Sequence, residues 1–249
     1  MFVKNNSTYQ STVLQSEETF HGFGMRNNRM SKKSMWVRPE AALSFLQKFG
    51  CTREQVVEME QVHADRIQTV TKKDGGSYFS GIDGLLTSDR GILLVVRSLD
   101  CAPLLFFDPV KKVIGAAHVG WKGALLNLAG SMIRTMISEF RCDPKSILVA
   151  IGPMIRACCY TIPQERKELF VSKFGDNIRY IAHKKGEWYL NLPVVIYDEL
   201  INSGVVPEHI DECSFCTKTM SDEFYSHRAE KDQQTQQEGA NYSIIGIEE

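Results

Sequence analysis

Between residues 83 and 118 the chain carries four short apolar runs in quick succession, at 83–87, 92–97, 102–107 and 113–118. Turn-forming residues such as Gly91 and Asp108-Pro109 separate them. Parallel strands joined by a crossover need a dozen or more residues between them, and these gaps are too short. The runs therefore read as strands of a sheet, joined by hairpins. A helix follows at once over residues 124–140, where Leu125, Leu128, Ala129, Met132, Ile133, Met136, Ile137 and Phe140 recur at helical spacing.

The flanking sequence continues the alternation. Residues 1–35 read as irregular chain with some strand, and the cluster at Arg26-Asn27-Asn28-Arg29 as a polar loop. Pro39 opens a helix to Phe49, with Ala41, Ala42, Phe45, Leu46 and Phe49 on its apolar face and Gly50 as its stop. Gln55 to His63 alternates as a strand, placing Val57, Met59, Gln61 and His63 on one face. Residues 67–70, 147–151 and 242–247 read as strands, and residues 163–174 and 192–202 as helices. Residues 72–80 and the polar tract 230–239 read as loops. With no repeat or linker, residues 1–249 are expected to form a single α+β domain.

The bulk chemistry excludes several classes of function. A net charge of −1 gives no global attraction to nucleic acid or an anionic membrane, so any anion must be held by a local site. No apolar stretch approaches the roughly 18 residues of a membrane span. The polar start, Met1-Phe2-Val3-Lys4, has no apolar signal-peptide core, so a cytoplasmic protein is expected. Seven scattered cysteines do not form a disulfide framework and fit reduced thiols. Cys158-Cys159 read as small core residues on a strand, and Cys213-Ser214-Phe215-Cys216 as a structural pair.

The segment from Gly115 to Gly123 carries the most chemistry. An apolar run ends on His118, and Gly120 and Gly123 then let the backbone turn or approach a ligand. His63 and Cys101 also stand near the ends of β-like runs. Each residue alone reads as a packed core residue. Together they form a nitrogen and sulfur set that suits zinc, with one position left open for catalysis. Their wide spacing is no local metal motif, and a cysteine hydrolase using Cys101 with His118 or His63 fits the same residues. Arg26, Lys122 and Arg228 are cations near turns that could hold phosphate. Trp121 reads either as a pocket cover or as a core anchor.

Taken in order, the motifs resemble the laccase-domain family, once called multicopper polyphenol oxidases. The matching segments are Gln61-Val62-His63, Ile82-Asp83-Gly84-Leu85-Leu86-Thr87, Ser98-Leu99-Asp100-Cys101-Ala102-Pro103, and His118 to Gly123. His21 to Arg26, Gly152-Pro153-Met154-Ile155 with Cys159-Tyr160, Cys216-Thr217, and Phe224 to Arg228 extend the match across the chain. The resemblance implies a compact domain of central β-sheets with helices outside. It implies one zinc ion on His63, Cys101 and His118, copper being the older assignment. It implies phosphorolysis of purine nucleosides (adenosine, inosine, guanosine and methylthioadenosine) and deamination of adenosine. Asp100 or Asp83 would then handle protons, and Arg26, Asp83, Lys122 and Arg228 would contact substrate or phosphate. Relatives acting on peptidoglycan offer an alternative substrate. After Arg228 this chain lacks the second arginine and the Thr-Gly-Arg of the family pattern, and Asn191 replaces its usual aspartate.

Overall fold

Strand Ala102–Asp108 is buried on both faces, and that fact sets the architecture. Leu104 and Phe106 point into one apolar core, while Leu105 and Phe107 point into another. A strand with two buried faces reads as a continuous apolar run rather than an alternating one. The computed structural model describes residues 1–177, 179–235 and 239–248.

Two sheets stack across the second of these cores. The six-stranded sheet runs in the spatial order Ile210–Glu212, Leu148–Ile151, Ala102–Asp108, Val113–Val119, Gly84–Thr87, Ile67–Thr69. The seven-stranded sheet runs Phe2–Asn5, Thr8–Ser11, Thr19–Gly24, Asn241–Ile247, Leu93–Ser98, Val56–Glu60, Tyr78–Ser80. Leu94, Val96, Phe23 and Ile245 of the larger sheet face Leu85, Leu105, Phe107 and Ile114 of the smaller. The outer face of the six-stranded sheet is covered by helices Leu128–Phe140 and Leu192–Asn202. The outer face of the seven-stranded sheet is covered by helix Pro39–Gln47 through Ala42, Phe45 and Leu46. A third sheet of Thr161–Ile162, Glu187–Leu190 and Ile181–Lys184 flanks the first core. This is the expected α+β arrangement of central sheets with helices outside. Among the described residues no helix is long and apolar enough to cross a membrane.

Several elements differ from the sequence reading, each for a local reason. Run 92–97 joins the opposite sheet from its neighbours, pairing antiparallel with Asn241–Ile247 and parallel with Val56–Glu60. Residues 1–35 supply three strands of the larger sheet, and residues 78–80, read as loop, form another. The helix read over 124–140 breaks in two, Trp121–Leu125 and Leu128–Phe140. Asn127 sits between them in a left-handed conformation, and its side chain accepts from the Gly130 N–H at 3.2 Å. Apolar spacing runs through that break and hides it. The tract 230–239 begins inside helix His227–Asp232, and its residues 236–238 lie outside the described residues. Strand Val56–Glu60 stops before His63, which has φ of 61° in a turn.

Helix Leu192–Asn202 buries Glu199, whose carboxylate oxygens have no hydrogen-bond partner among the described residues. Burial pushes its pKa from 4.5 to about 9, against the opposing pull of Lys173 and Arg134. The folded chain therefore holds a proton that the unfolded chain releases, so stability falls as pH rises from about 4.5 towards 9. Glu199→Gln removes this dependence. Urea unfolding across that range should show the variant gaining on the natural chain by up to about 1.4 kcal/mol per pH unit. Parallel stability profiles would contradict a neutral buried Glu199.

Candidate metal centre

Strand register alone brings two of the three expected ligands together. Ala102–Asp108 and Val113–Val119 form an antiparallel hairpin in which His118 pairs with Pro103 and Val119 with Ala102. Cys101 and Gly120 are therefore neighbours at its open end. A Cβ on Gly120 would lie 2.8 Å from the Cys101 sulfur and 3.1 Å from the His63 ring. Only glycine fits so close to both side chains. Gly123, by contrast, has a negative φ in the following helix, and a Cβ there would meet only ordinary contacts.

The third ligand arrives from the other sheet. His63 follows Val56–Glu60 and is held by Asp83, the residue just before strand Gly84–Thr87. Asp83 is fully buried, and its carboxylate accepts from the backbone N–H of Val62 at 3.0 Å, His63 at 3.0 Å and Ala64 at 2.8 Å. The same carboxylate lies 2.8 Å from Nδ1 of His118. A carboxylate can only accept, so Nδ1 carries the proton and Nε2 presents its lone pair. Ligating nitrogen and sulfur atoms of His63, Cys101 and His118 lie within 4.8 Å of one another. The His63 and His118 rings meet edge-to-face with centroids 4.8 Å apart.

Electrostatics favours the charged ligand. Burial works to raise the Cys101 thiol, but the charge and hydrogen bonds of His118, then those of His63, draw it well below its ordinary value. Burial of His118 is likewise outweighed by the Cys101 charge and by Asp83, which raise its pKa. Asp83 is lowered because its bonds to His118 and the Ala64 N–H exceed its burial penalty. These directions draw Cys101 towards thiolate and His118 towards imidazolium, and a metal would displace the Nε2 proton while Nδ1–H stays on Asp83. Two imidazoles and a thiolate, with a carboxylate behind one imidazole, fit zinc and its usual outer shell.

A cavity of about 580 Å³ opens on the three side chains. Trp121, Ile155, Tyr160 and Leu192 supply its apolar and aromatic lining, and Lys32, Arg97, Arg166, His227, Arg228 and Lys231 its basic one. Of the expected site residues, His63, Cys101, His118, Asp100 and Arg228 line it. Three do not. Asp83 is sealed behind His118, so it positions that residue rather than contacting substrate. Arg26 lies outside the cavity, donating to the Ser221 carbonyl at 2.8 Å and covering the Tyr225 ring. Lys122 is exposed and outside it, 5.6 Å from the Trp121 ring.

The lining cations are not equivalent. Lys32 pairs with Glu230 at 2.6 Å, Arg97 donates to the Met59 and Lys32 carbonyls, and Arg228 donates to Thr161 Oγ1 and O. Arg166 stacks on Trp121, 4.2 Å from the ring centroid, and its buried Nε has no partner among the described residues. Sequence reasoning missed it, because Glu165-Arg166-Lys167-Glu168 looks like any solvated helix face. Asp100 accepts from Thr217 Oγ1, Ser226 Oγ and the Arg228 N–H, all at 2.7 Å, tying helix His227–Asp232 to the hairpin.

The geometry has counterparts in known proteins. The family model described as multi-copper polyphenol oxidoreductase laccase matches residues 27–248. The mouse protein named purine nucleoside phosphorylase LACC1 is 32% identical over 182 residues, covering 72% of this chain and 41% of its own length. This chain thus spans about two fifths of that relative. Purine nucleoside phosphorylase YlmD of Bacillus subtilis is 30% identical over 210 residues, covering 81% of this chain and 74% of its own. The crystal structure of YlmD from Geobacillus stearothermophilus superposes with a TM-score of 0.88 at 26% identity, covering 100% of this chain and 99% of that one.

Two glycines three residues apart should behave differently. Gly120→Ala is expected to lower zinc affinity by at least ~10-fold, and Gly123→Ala to leave it unchanged. Asp83→Asn is expected to lower it ~10–100-fold, as for other outer-shell carboxylates. Competition with a zinc chelator measures all three. Equal affinities across the set would contradict the assigned centre.

Proposed function

The chain belongs to the family described as multi-copper polyphenol oxidoreductase laccase, and from that premise we propose that it is a zinc-dependent purine nucleoside phosphorylase that also deaminates adenosine. The reading is carried by one observation. A single cavity combines a nitrogen–sulfur ligand set, an aromatic lining and an excess of cations.

His63, Cys101 and His118 would hold the zinc. When bound, it would supply Lewis-acid activation of water for deamination. The remaining work falls to the chain's own residues. Asp83 fixes His118 in the tautomer that leaves Nε2 available. Trp121, Tyr160, Ile155 and Leu192 give a purine ring a flat, apolar surround. Burial raises the Tyr160 pKa above its ordinary value, so the hydroxyl stays protonated and can donate. Arg166, with an unpartnered Nε, is the first candidate to hold phosphate, with Arg228 and Lys231 adding charge. In phosphorolysis these groups would orient phosphate towards the anomeric carbon as the base departs. Among the described residues Asp100 is the one carboxylate in the lining, so proton exchange during deamination is assigned to it.

One observation favours a second reading. Asp83, His118 and Cys101 follow one another as orienter, base and thiolate, the order of a cysteine nucleophile site. Zinc ligation and a free nucleophile exclude each other at Cys101. The absence of further histidine-rich clusters among the described residues speaks against a multi-copper oxidase.

Purified protein with adenosine should yield adenine only when phosphate is present, and inosine regardless of phosphate. Both products should disappear with the metal in Cys101→Ala. Arg166→Ala should raise the KM for phosphate about 10-fold, equivalent to about 1.4 kcal/mol, with zinc content unchanged. A zinc-loaded chain that leaves purine nucleosides intact would overturn the proposal. Rapid alkylation of Cys101 without loss of metal would move the weight to the cysteine hydrolase.

A further inference from the structure

Cys158, Cys159 and Cys216 also gather, with their sulfurs within 4.8 Å of one another. The first two are not the core residues of a strand that their sequence indicates. They lie in a turn, Cys158 exposed and Cys159 half-buried, with sulfurs 3.6 Å apart. Cys216 is buried beneath them and reaches them through the bridge that pairs it with Met154. Against the effect of burial, backbone N–H groups of Thr219, Arg156 and Lys218 lower the Cys216 thiol, while burial raises Cys158 and Cys159, so a bound cation is what would hold all three as thiolates. A separate surface cavity of about 470 Å³, lined by Arg156, Cys158, Asn191 and Cys216, opens this cluster to solvent.

We propose that Cys158, Cys159 and Cys216 form a second metal site, a trithiolate cradle for a soft d¹⁰ cation such as Zn(II), Cd(II) or Cu(I), independent of the His63–Cys101–His118 centre. Thiolates select such ions, and the group contains no carboxylate to favour Mg(II) or Ca(II). Sulfurs bound tetrahedrally at ~2.3 Å stand roughly 3.8 Å apart, close to the separation already present between Cys158 and Cys159. A disulfide between those two is disfavoured, because adjacent α-carbons are ~3.8 Å apart and disulfides prefer about 4.4–6.8 Å. The three ligands come from two separate chain segments, so a bound ion would cross-link them. The same turn carries the Cys159 carbonyl that receives Arg228, at 3.4 Å. That contact uses the backbone carbonyl and not the thiols, so it does not depend on whether the site is filled.

The test uses Cd(II) alone, added to the full, reduced, metal-free chain carrying Cys101→Ala to disable the first centre. We expect one equivalent to bind, with the ultraviolet thiolate-to-cadmium absorption of three sulfurs and a raised Tm. Adding Cys158→Ala should weaken binding by more than the ~10–100-fold that an outer-shell loss costs. Cys158 is exposed, so the fold should persist, as far-ultraviolet circular dichroism will check. In an otherwise natural chain, Cys158→Ala should leave nucleoside turnover unchanged, which separates this site from the one proposed above. Failure to bind stoichiometric Cd(II), or equal affinity after Cys158→Ala, would overturn the proposal. So would air oxidation to a Cys158–Cys216 disulfide that Cd(II) does not prevent, which would make the cluster a redox pair.

Discussion

The buried carboxylate of Asp83 is the interaction on which the rest of the site depends. It has no exposure to water, and an isolated buried charge is costly. Three backbone N–H donors and the His118 ring offset that cost. Each is also a structural tie. The N–H donors belong to the segment leaving the seven-stranded sheet, while Asp83 leads into one strand of the six-stranded sheet and His118 lies on its neighbour. A single side chain thus sets the left-handed turn at His63, selects the His118 tautomer and fixes the two imidazoles relative to each other. Removing it takes the shared acceptor from three part-buried backbone donors and from the buried His118 ring.

Around this keystone the fold divides its labour. Hairpin register fixes Cys101 against His118 without any long-range side-chain contact. Asp100, next in the chain, uses three hydrogen bonds to draw the late segment 217–228 across the opening. Most lining cations are spent on carbonyls or carboxylates and shape the cavity walls. Arg166 instead stacks on Trp121 in the cavity wall.

The strands and helices with strong apolar periodicity were legible from the sequence, and His63, Cys101 and His118 do come together as a group that could hold a metal. Their legibility has a physical basis. Residues at the ends of paired strands meet through register, and glycines mark the close approach beside them. What escaped was information carried by partners distant in sequence. Asp83 was visible as a motif member, but its place behind His118 follows from the pairing of Gly84 with Ala117. Arg26 and Lys122 have the right charge, yet Tyr225, the Ser221 carbonyl and solvent take them elsewhere. Arg166 carries no local signal. The helix break at Asn127 is masked by uninterrupted apolar spacing. Cys158 and Cys159 meet Cys216 only because a turn, not a strand, carries them.

Zinc-edge X-ray absorption on the Cys158→Ala chain loaded with one zinc per chain would test the central claim most directly. One sulfur and two imidazole nitrogens are expected around the metal, with the sulfur shell lost in a further Cys101→Ser variant. A sulfur-only shell, or one unaffected by Cys101→Ser, would contradict it.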